Sequence, residues 1–164
     1  MESFTTKALE LQRLAHQLLF LEEDTPLYSD DFSKQNRKVL TLSDALYSLW
    51  KATDSLTPEE DAEICLALLM GYNATIYGDD KKQEHIQRIL DRCWKILPHL
   101  PASLQKLRLL TYCYGEVYDA ALAREAHDIL NSWSGRELAV EEREIADMLN
   151  NMEANPYPWE EMEE

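Results

Sequence analysis

Glycine and proline are scarce in this chain, 4 and 6 residues among 164, and most of them sit where one helical pattern stops and another begins. Cysteine is scarcer still. Cys65, Cys93 and Cys113 are an odd number, each inside an apolar helical-looking stretch, with no Cys-x-x-Cys and no histidine at ligand spacing. That excludes a disulfide framework and a zinc knuckle, and leaves reduced core thiols. Cations are in deficit, 16 Lys and Arg against 31 Asp and Glu, for a net charge of -15 and an isoelectric point near 4.6. A nucleic-acid backbone repels such a chain, and the only adjacent basic pairs, Arg37-Lys38 and Lys81-Lys82, both lie close to acidic residues. Direct binding of RNA or DNA is therefore not expected, and a basic protein surface is the charged partner that fits. Long apolar runs are also missing. The longest, Ile64 through Met70, falls far short of the ~20 residues a membrane span needs. No basic start followed by an apolar run marks a signal peptide. A cytoplasmic protein with no membrane contact is expected.

Catalytic and ligand motifs are absent as well. His16, His85, His99 and His127 are scattered, none beside a Ser or Cys in a Gly-rich elbow. His-Glu-x-x-His, Gly-rich phosphate loops and calcium-loop spacing do not occur. The expectation is a protein that is not an enzyme and has no cofactor and no metal centre. Asp30-Asp31 and Asp79-Asp80 would suit a divalent cation, but each pair precedes a helical run, where capping explains it better.

What is present is helical. The hydrophobic share of 45%, with 9% aromatic residues, is that of a chain able to bury a core, and no stretch sustains strand alternation. A first helix is expected from about Ser3 to Glu23, with Leu11, Leu14, Ala15 and Leu18 forming its buried stripe. A second starts near the N-cap Ser29 and turns Val39, Leu42, Leu46, Leu49 and Trp50 inward. Thr57-Pro58-Glu59-Glu60 combines a cap, a proline for the first helical position and a capping-box glutamate. The helix it opens is apolar all round from Ile64 to Met70, so it is expected at the centre of the fold. Gly78-Asp79-Asp80 should close that helix and cap the next, which runs to Leu97 with Ile86, Ile89, Leu90 and Trp94 on one face. Further helices follow from Ala102 to Tyr118, from the cap Asp119 to Trp133 with Gly135 beyond its end, and from Val140 to Met152.

The fold class is thus all-α with about seven helices. Residues 1–153 read as a single helical domain and 154–164 as an acidic, aromatic C-terminal tail. An internal repeat of stacked helical hairpins is a further expectation. Leu66-x-Leu68-Leu69 and Ile76-Tyr77 match Leu107-x-Leu109-Leu110 and Val117-Tyr118 at one common offset, and Trp94 and Trp133 end the two partner helices.

Two groups of aromatics stand out as candidate contact residues. Tyr112 and Tyr114 share a helix with Tyr118 and Gly115, as Tyr72 shares one with Gly71. They either bury their rings in a core or line a concave aromatic surface between hairpins. Gly in a helix costs about 1 kcal/mol relative to Ala, a loss that close helix approach can offset in either case. In the tail, Pro156 and Pro158 stiffen an extended segment that carries Tyr157 and Trp159, followed by Glu160 and Glu161. Such a segment is solvated, docks back on its own helices or meets a partner. The partner-binding candidates are therefore Tyr157, Trp159, Glu160, Glu161, Tyr112 and Tyr114.

The stretch Leu66-Ala67-Leu68-Leu69-Met70-Gly71-Tyr72-Asn73-Ala74-Thr75-Ile76-Tyr77 resembles the signature of the UpxZ proteins, small antagonists of transcription antitermination encoded in capsular polysaccharide loci. So do Leu100-Pro101-Ala102-Ser103-Leu104, Leu109-Leu110-Thr111-Tyr112-Cys113-Tyr114-Gly115-Glu116-Val117 and the closing Asn155-Pro156-Tyr157-Pro158-Trp159. The resemblance implies a regulatory protein without enzymatic activity. Its partner would be a NusG-like antitermination factor of another capsule locus, free or already on RNA polymerase, so that one polysaccharide operon is transcribed at a time. It assigns no role to any residue. Two other classes remain beside it: an acidic decoy of a nucleic-acid-binding protein, and a helical small-ligand-binding protein that uses the tyrosine surface.

Overall fold

Helix ends are set by short-range bonds, and the best of them opens the third helix, α3 (Pro58–Ala74). Thr57 Oγ1 accepts from the Glu60 N–H and the Glu60 carboxylate accepts from the Thr57 N–H, each at 3.1 Å, with Pro58 at the first helical position. The computed structural model describes residues 4–24, 29–53, 56–76 and 78–154. Among them lie α1 (Phe4–Asp24), α2 (Asp30–Lys51), α3, α4 (Lys82–Ile96), α5 (Leu104–Val117), α6 (Ala120–Ser132) and α7 (Val140–Ala154), with one 3-10 turn at Leu97–His99 and no strand. The all-α expectation holds. So do the caps at Ser29, which accepts from the Phe32 N–H at 3.2 Å, and at Asp119, which accepts from the Ala121 N–H at 3.0 Å.

The chain forms two compact units, Met1–His99 and Leu100–Glu164. The division falls between Pro98 and Pro101, inside the span 1–153 read from sequence as one domain. Of the expected tail only Ala154 is described, as the last residue of α7.

In the first unit α3 packs against α1, α2 and α4. Ile64 through Leu69 are completely buried, as a helix apolar on every side requires. Ala8, Leu11, Ala15 and Leu18 of α1 are buried, as are Phe32, Val39, Leu46 and Trp50 of α2. The buried stripe of α2 runs Phe32, Asn36, Val39, Ser43, Leu46 and Trp50. Leu49 lies beside that stripe and is 42% exposed, against its expected inward position. Trp94 is likewise 39% exposed, because the buried row of α4 runs Ile86, Ile89, Leu90, Cys93 and Ile96 and leaves position 94 on the flank.

The end of α3 also departs from expectation. The helix stops at Ala74, ahead of Gly78, where Thr75 is extended and the buried Asn36 Oδ1 of α2 accepts the Ile76 N–H at 3.0 Å. Gly78, with φ of 96°, turns the connection instead. The residue preceding α4 is Lys81, which makes no side-chain cap, so Asp79 and Asp80 do not cap that helix. Asp79 Oδ1 accepts the Lys81 N–H at 3.0 Å and tightens the turn before it.

In the second unit α5 packs against α6 and α7, with Leu107, Leu109, Leu110 and Cys113 fully buried. α5 ends in the left-handed Tyr118, and Gly135, past the end of α6, has φ of 90°. The three cysteines are buried and none forms a disulfide. Both copies of the expected repeat fall on helix pairs, α3 with α4 and α5 with α6. Their joins differ: residues 75–81 with an extended cap in one, 118–119 with a left-handed cap in the other. The likeness reaches helix order and does not extend to the connections.

Candidate functional site

Tyr112 and Tyr114 lie two positions apart on α5, on different sides of the helix. Tyr114 is buried, 7% exposed, with its ring 5.1 Å from that of Tyr118. Tyr112 is half-buried, and burial pushes its phenol above the ordinary range while Arg108 opposes the shift. The structure thus joins Tyr114 to Tyr118 and sets Tyr112 apart from both. Tyr157, Trp159, Glu160 and Glu161 lie outside the described residues, as does Tyr77.

A denser aromatic group occurs in the first unit. The His85 ring stacks on Tyr72 with centroids 4.8 Å apart, and Tyr47 approaches the same imidazole at 4.6 Å. The Tyr72 hydroxyl donates to Asp44 Oδ1 at 2.8 Å. Burial, then this carboxylate, hold the Tyr72 phenol protonated far above physiological pH. His85 Nδ1 sits 3.1 Å from Asp79 Oδ2. Asp44, Asp79 and His85 present three ligand-type atoms within 4.8 Å of one another. Each of these atoms already has a protein partner, in the Tyr72 hydroxyl or in the Asp79–His85 contact. The arrangement ties α2, α3, the 78–81 turn and α4 together, and a cation entering it would have to displace those bonds. Sequence reasoning took Asp79 for a cap and missed His85. The available signal was the distance from Asp79 to His85, which puts a turn carboxylate over the first turn of α4.

The second unit is where acid predominates. It carries 14 of the 31 carboxylates against 5 of the 16 cations, and the first unit 17 against 11. Two of those five cations are taken up internally. Lys106 Nζ pairs with Glu125 at 2.6 Å. Arg136 donates from both terminal nitrogens to Glu142, at 3.0 and 2.8 Å, with its guanidinium carbon 4.9 Å from the centre of the Trp133 ring. These hydrogen bonds, with one from the Ala139 N–H at 2.7 Å, hold the Glu142 carboxyl down at about 2. A surface with this balance attracts a basic partner over distance.

Over residues 8–115, from α1 to the last turn of α5, the chain matches the family model described as the UpxZ family of transcription anti-terminator antagonists. It is similar to a crystal structure of a transcription anti-terminator antagonist UpxZ from Bacteroides uniformis ATCC 8492, with 49% identity, 98% of each chain covered and a TM-score of 0.85. A comparison with curated proteins gives no match.

Proposed function

This chain belongs to the UpxZ family of transcription anti-terminator antagonists, and from that premise we propose that it binds a NusG-like antitermination factor directly and keeps other capsular polysaccharide operons silent while one is expressed. Membership makes it a regulatory protein and not an enzyme. No helix among the described residues is long and apolar enough to cross a membrane, and the proposal places its action in the cytoplasm, on the free factor or on one bound to RNA polymerase.

The observation that carries the direct, protein-borne mechanism is the charge balance of the second unit, 14 carboxylates to 5 cations. Such a surface repels nucleic acid and suits the basic face by which a transcription factor approaches it. In this proposal Trp159 and Tyr157 anchor the contact, because aromatic side chains dominate interface energetics and the flanking prolines reduce the entropy lost on docking. Glu160 and Glu161 steer the encounter. Tyr112 adds a half-exposed ring, supported by the buried Tyr114 on the same helix.

The test is binding of the purified chain to a purified antitermination factor, with and without residues beyond Asn155, alongside the melting temperature of each form. Unchanged melting with lost binding supports the anchor. Lowered melting shows that the tail braces its own helices, and no change in either removes the tail from the mechanism. For Trp159→Ala the anchor predicts a loss of about 2 kcal/mol, roughly thirtyfold in dissociation constant. Tight binding of leader RNA by the chain alone would contradict the protein-borne mechanism.

A further inference from the structure

In a chain whose cations are outnumbered 31 to 16, four cations converge on one cleft. The cleft has a volume of about 270 Å³ and lies between the end of α2, which contributes Trp50 and Lys51, and α4, which contributes Arg88, Arg92 and Lys95. Arg88, Arg92 and Lys95 follow one another at i, i+4 and i+7, the spacing that places side chains on one helix face. Lys51 enters from the last turn of α2. Cations so close repel one another and destabilise the fold unless something compensates them.

Protein carboxylates do so only in part. Among the described residues Lys51, Arg88 and Lys95 form no ion pair. Asp91, the one acid in the lining, accepts instead from Gln87 at 3.0 Å. Arg92 is held differently. Its Nε donates to Asp61 Oδ2 at 2.5 Å, and Asp61 Oδ1 accepts Trp50 Nε1 at 2.7 Å, with Asp61 itself only 2% exposed. A buried carboxylate thus fixes the guanidinium through Nε, while among the described residues no protein acceptor takes its terminal nitrogens. A guanidinium oriented from behind, with further cations beside it, is the arrangement that recognises multivalent oxyanions.

We propose that this cleft binds a phosphate-class oxyanion carried by a small molecule, with Arg92 supplying directed donors and Lys51, Arg88 and Lys95 supplying charge. Four cations less Asp91 and the Asp61 that holds Arg92 leave a net charge of +2, which a single carboxylate would balance only by half, whereas a phosphate group matches it. The volume, about 270 Å³, lies just below the range of about 300–1,000 Å³ for drug-sized ligands and suits a smaller oxyanion. The proposal is independent of the antitermination partner, since none of its residues belongs to the contact described above.

The test titrates the full chain with inorganic phosphate and inorganic pyrophosphate at constant ionic strength, by calorimetry and by thermal shift, with acetate and chloride as controls. The expected result is saturable one-site binding of pyrophosphate with a dissociation constant below about 1 mM, and a melting temperature that rises with ligand concentration. The double variant Arg88→Gln, Lys95→Gln should weaken binding by about tenfold or more without lowering the ligand-free melting temperature, because neither side chain has an ion-pair partner to lose. Arg92 is left in place, since removing it would strand Asp61. If the double variant fails to fold, Lys51→Gln must weaken binding by roughly threefold on its own. No saturable binding at about 10 mM, equal stabilisation by acetate, or undiminished affinity in the variants would overturn the proposal. Tighter binding of a glutamate-rich peptide than of pyrophosphate would also overturn it, by assigning the cleft to an acidic protein segment.

Discussion

Gly71 and Gly115 look alike as single residues, each in the last turn of its helix beside a tyrosine, yet their surroundings give opposite predictions. A methyl group at Gly71 would lie 2.2 Å from Ser43 Oγ and 3.2 Å from Leu11 Cδ1. Ser43 is buried and its hydroxyl donates to the Val39 carbonyl at 2.8 Å, so it has little room to move. Gly71→Ala is expected to destabilise by about 1–3 kcal/mol, since overpacking outweighs the roughly 1 kcal/mol of helix propensity gained. At Gly115 the same methyl meets Met152 Cε at 2.9 Å and Sδ at 3.3 Å, the far end of an unbranched side chain that can swing aside. Gly115→Ala should therefore be neutral or stabilising by up to about 1 kcal/mol. Urea unfolding of the two variants compares them directly, and a Gly71→Ala protein as stable as the parent would contradict the close approach of α2 to α3.

At the scale of elements, helix starts carry measurable stability because the first N–H groups lack partners within the helix. Thr57 is exposed and acts on α3 only through its cap. Thr57→Ala should cost about 1 kcal/mol in chemical unfolding, and a loss near zero would show that Pro58 and Glu60 suffice to start the helix. α7 begins on a carboxylate that also reaches back, from Glu142 to the Ala139 N–H, while Arg136 grips both its oxygens. Because these bonds lower the Glu142 pKa to about 2 from an ordinary 4.5, their stabilisation is fully present above the ordinary value and disappears as pH falls from there through the lowered one. An NMR titration of Glu142 should give a midpoint near the lowered value, moving up toward the ordinary one in Arg136→Gln. An unchanged midpoint in that variant would remove Arg136 as the main cause.

For the molecule as a whole, an excess of 31 acids over 16 cations means self-repulsion that salt relieves. Raising sodium chloride from about 20 to 200 mM at neutral pH should raise the melting temperature, because the screening length contracts over that range. A flat or falling response would show that the internal ion pairs, and not the net charge, govern its salt dependence. The same excess predicts that association with a basic partner slows with salt much more than dissociation quickens. Stopped-flow rates at two ionic strengths separate these effects, and a salt-independent association rate would argue against the charged second unit as the steering surface.

Where α2, α3 and α6 begin was legible in the sequence, whereas the start of α4 was not. Ser29, Thr57 and Asp119 each cap with atoms two or three residues away, and an all-apolar run such as Ile64 to Met70 has to be covered. The candidate contact residues of the tail rest on composition alone and lie outside the described residues. Only the tertiary structure decided which flank of a stripe is exposed, as at Leu49 and Trp94, and that Asp79 serves His85 instead of α4. It alone divides the chain into two units on either side of the Pro98 to Pro101 turn. It alone brings Trp50 and Arg92 onto Asp61, 11 and 31 residues away in sequence, and so assembles a basic cleft in an acidic chain. The reason is range: a cap closes within one turn of its own helix, whereas these contacts exist only once α2 and α4 have packed onto α3, an outcome no local spacing encodes.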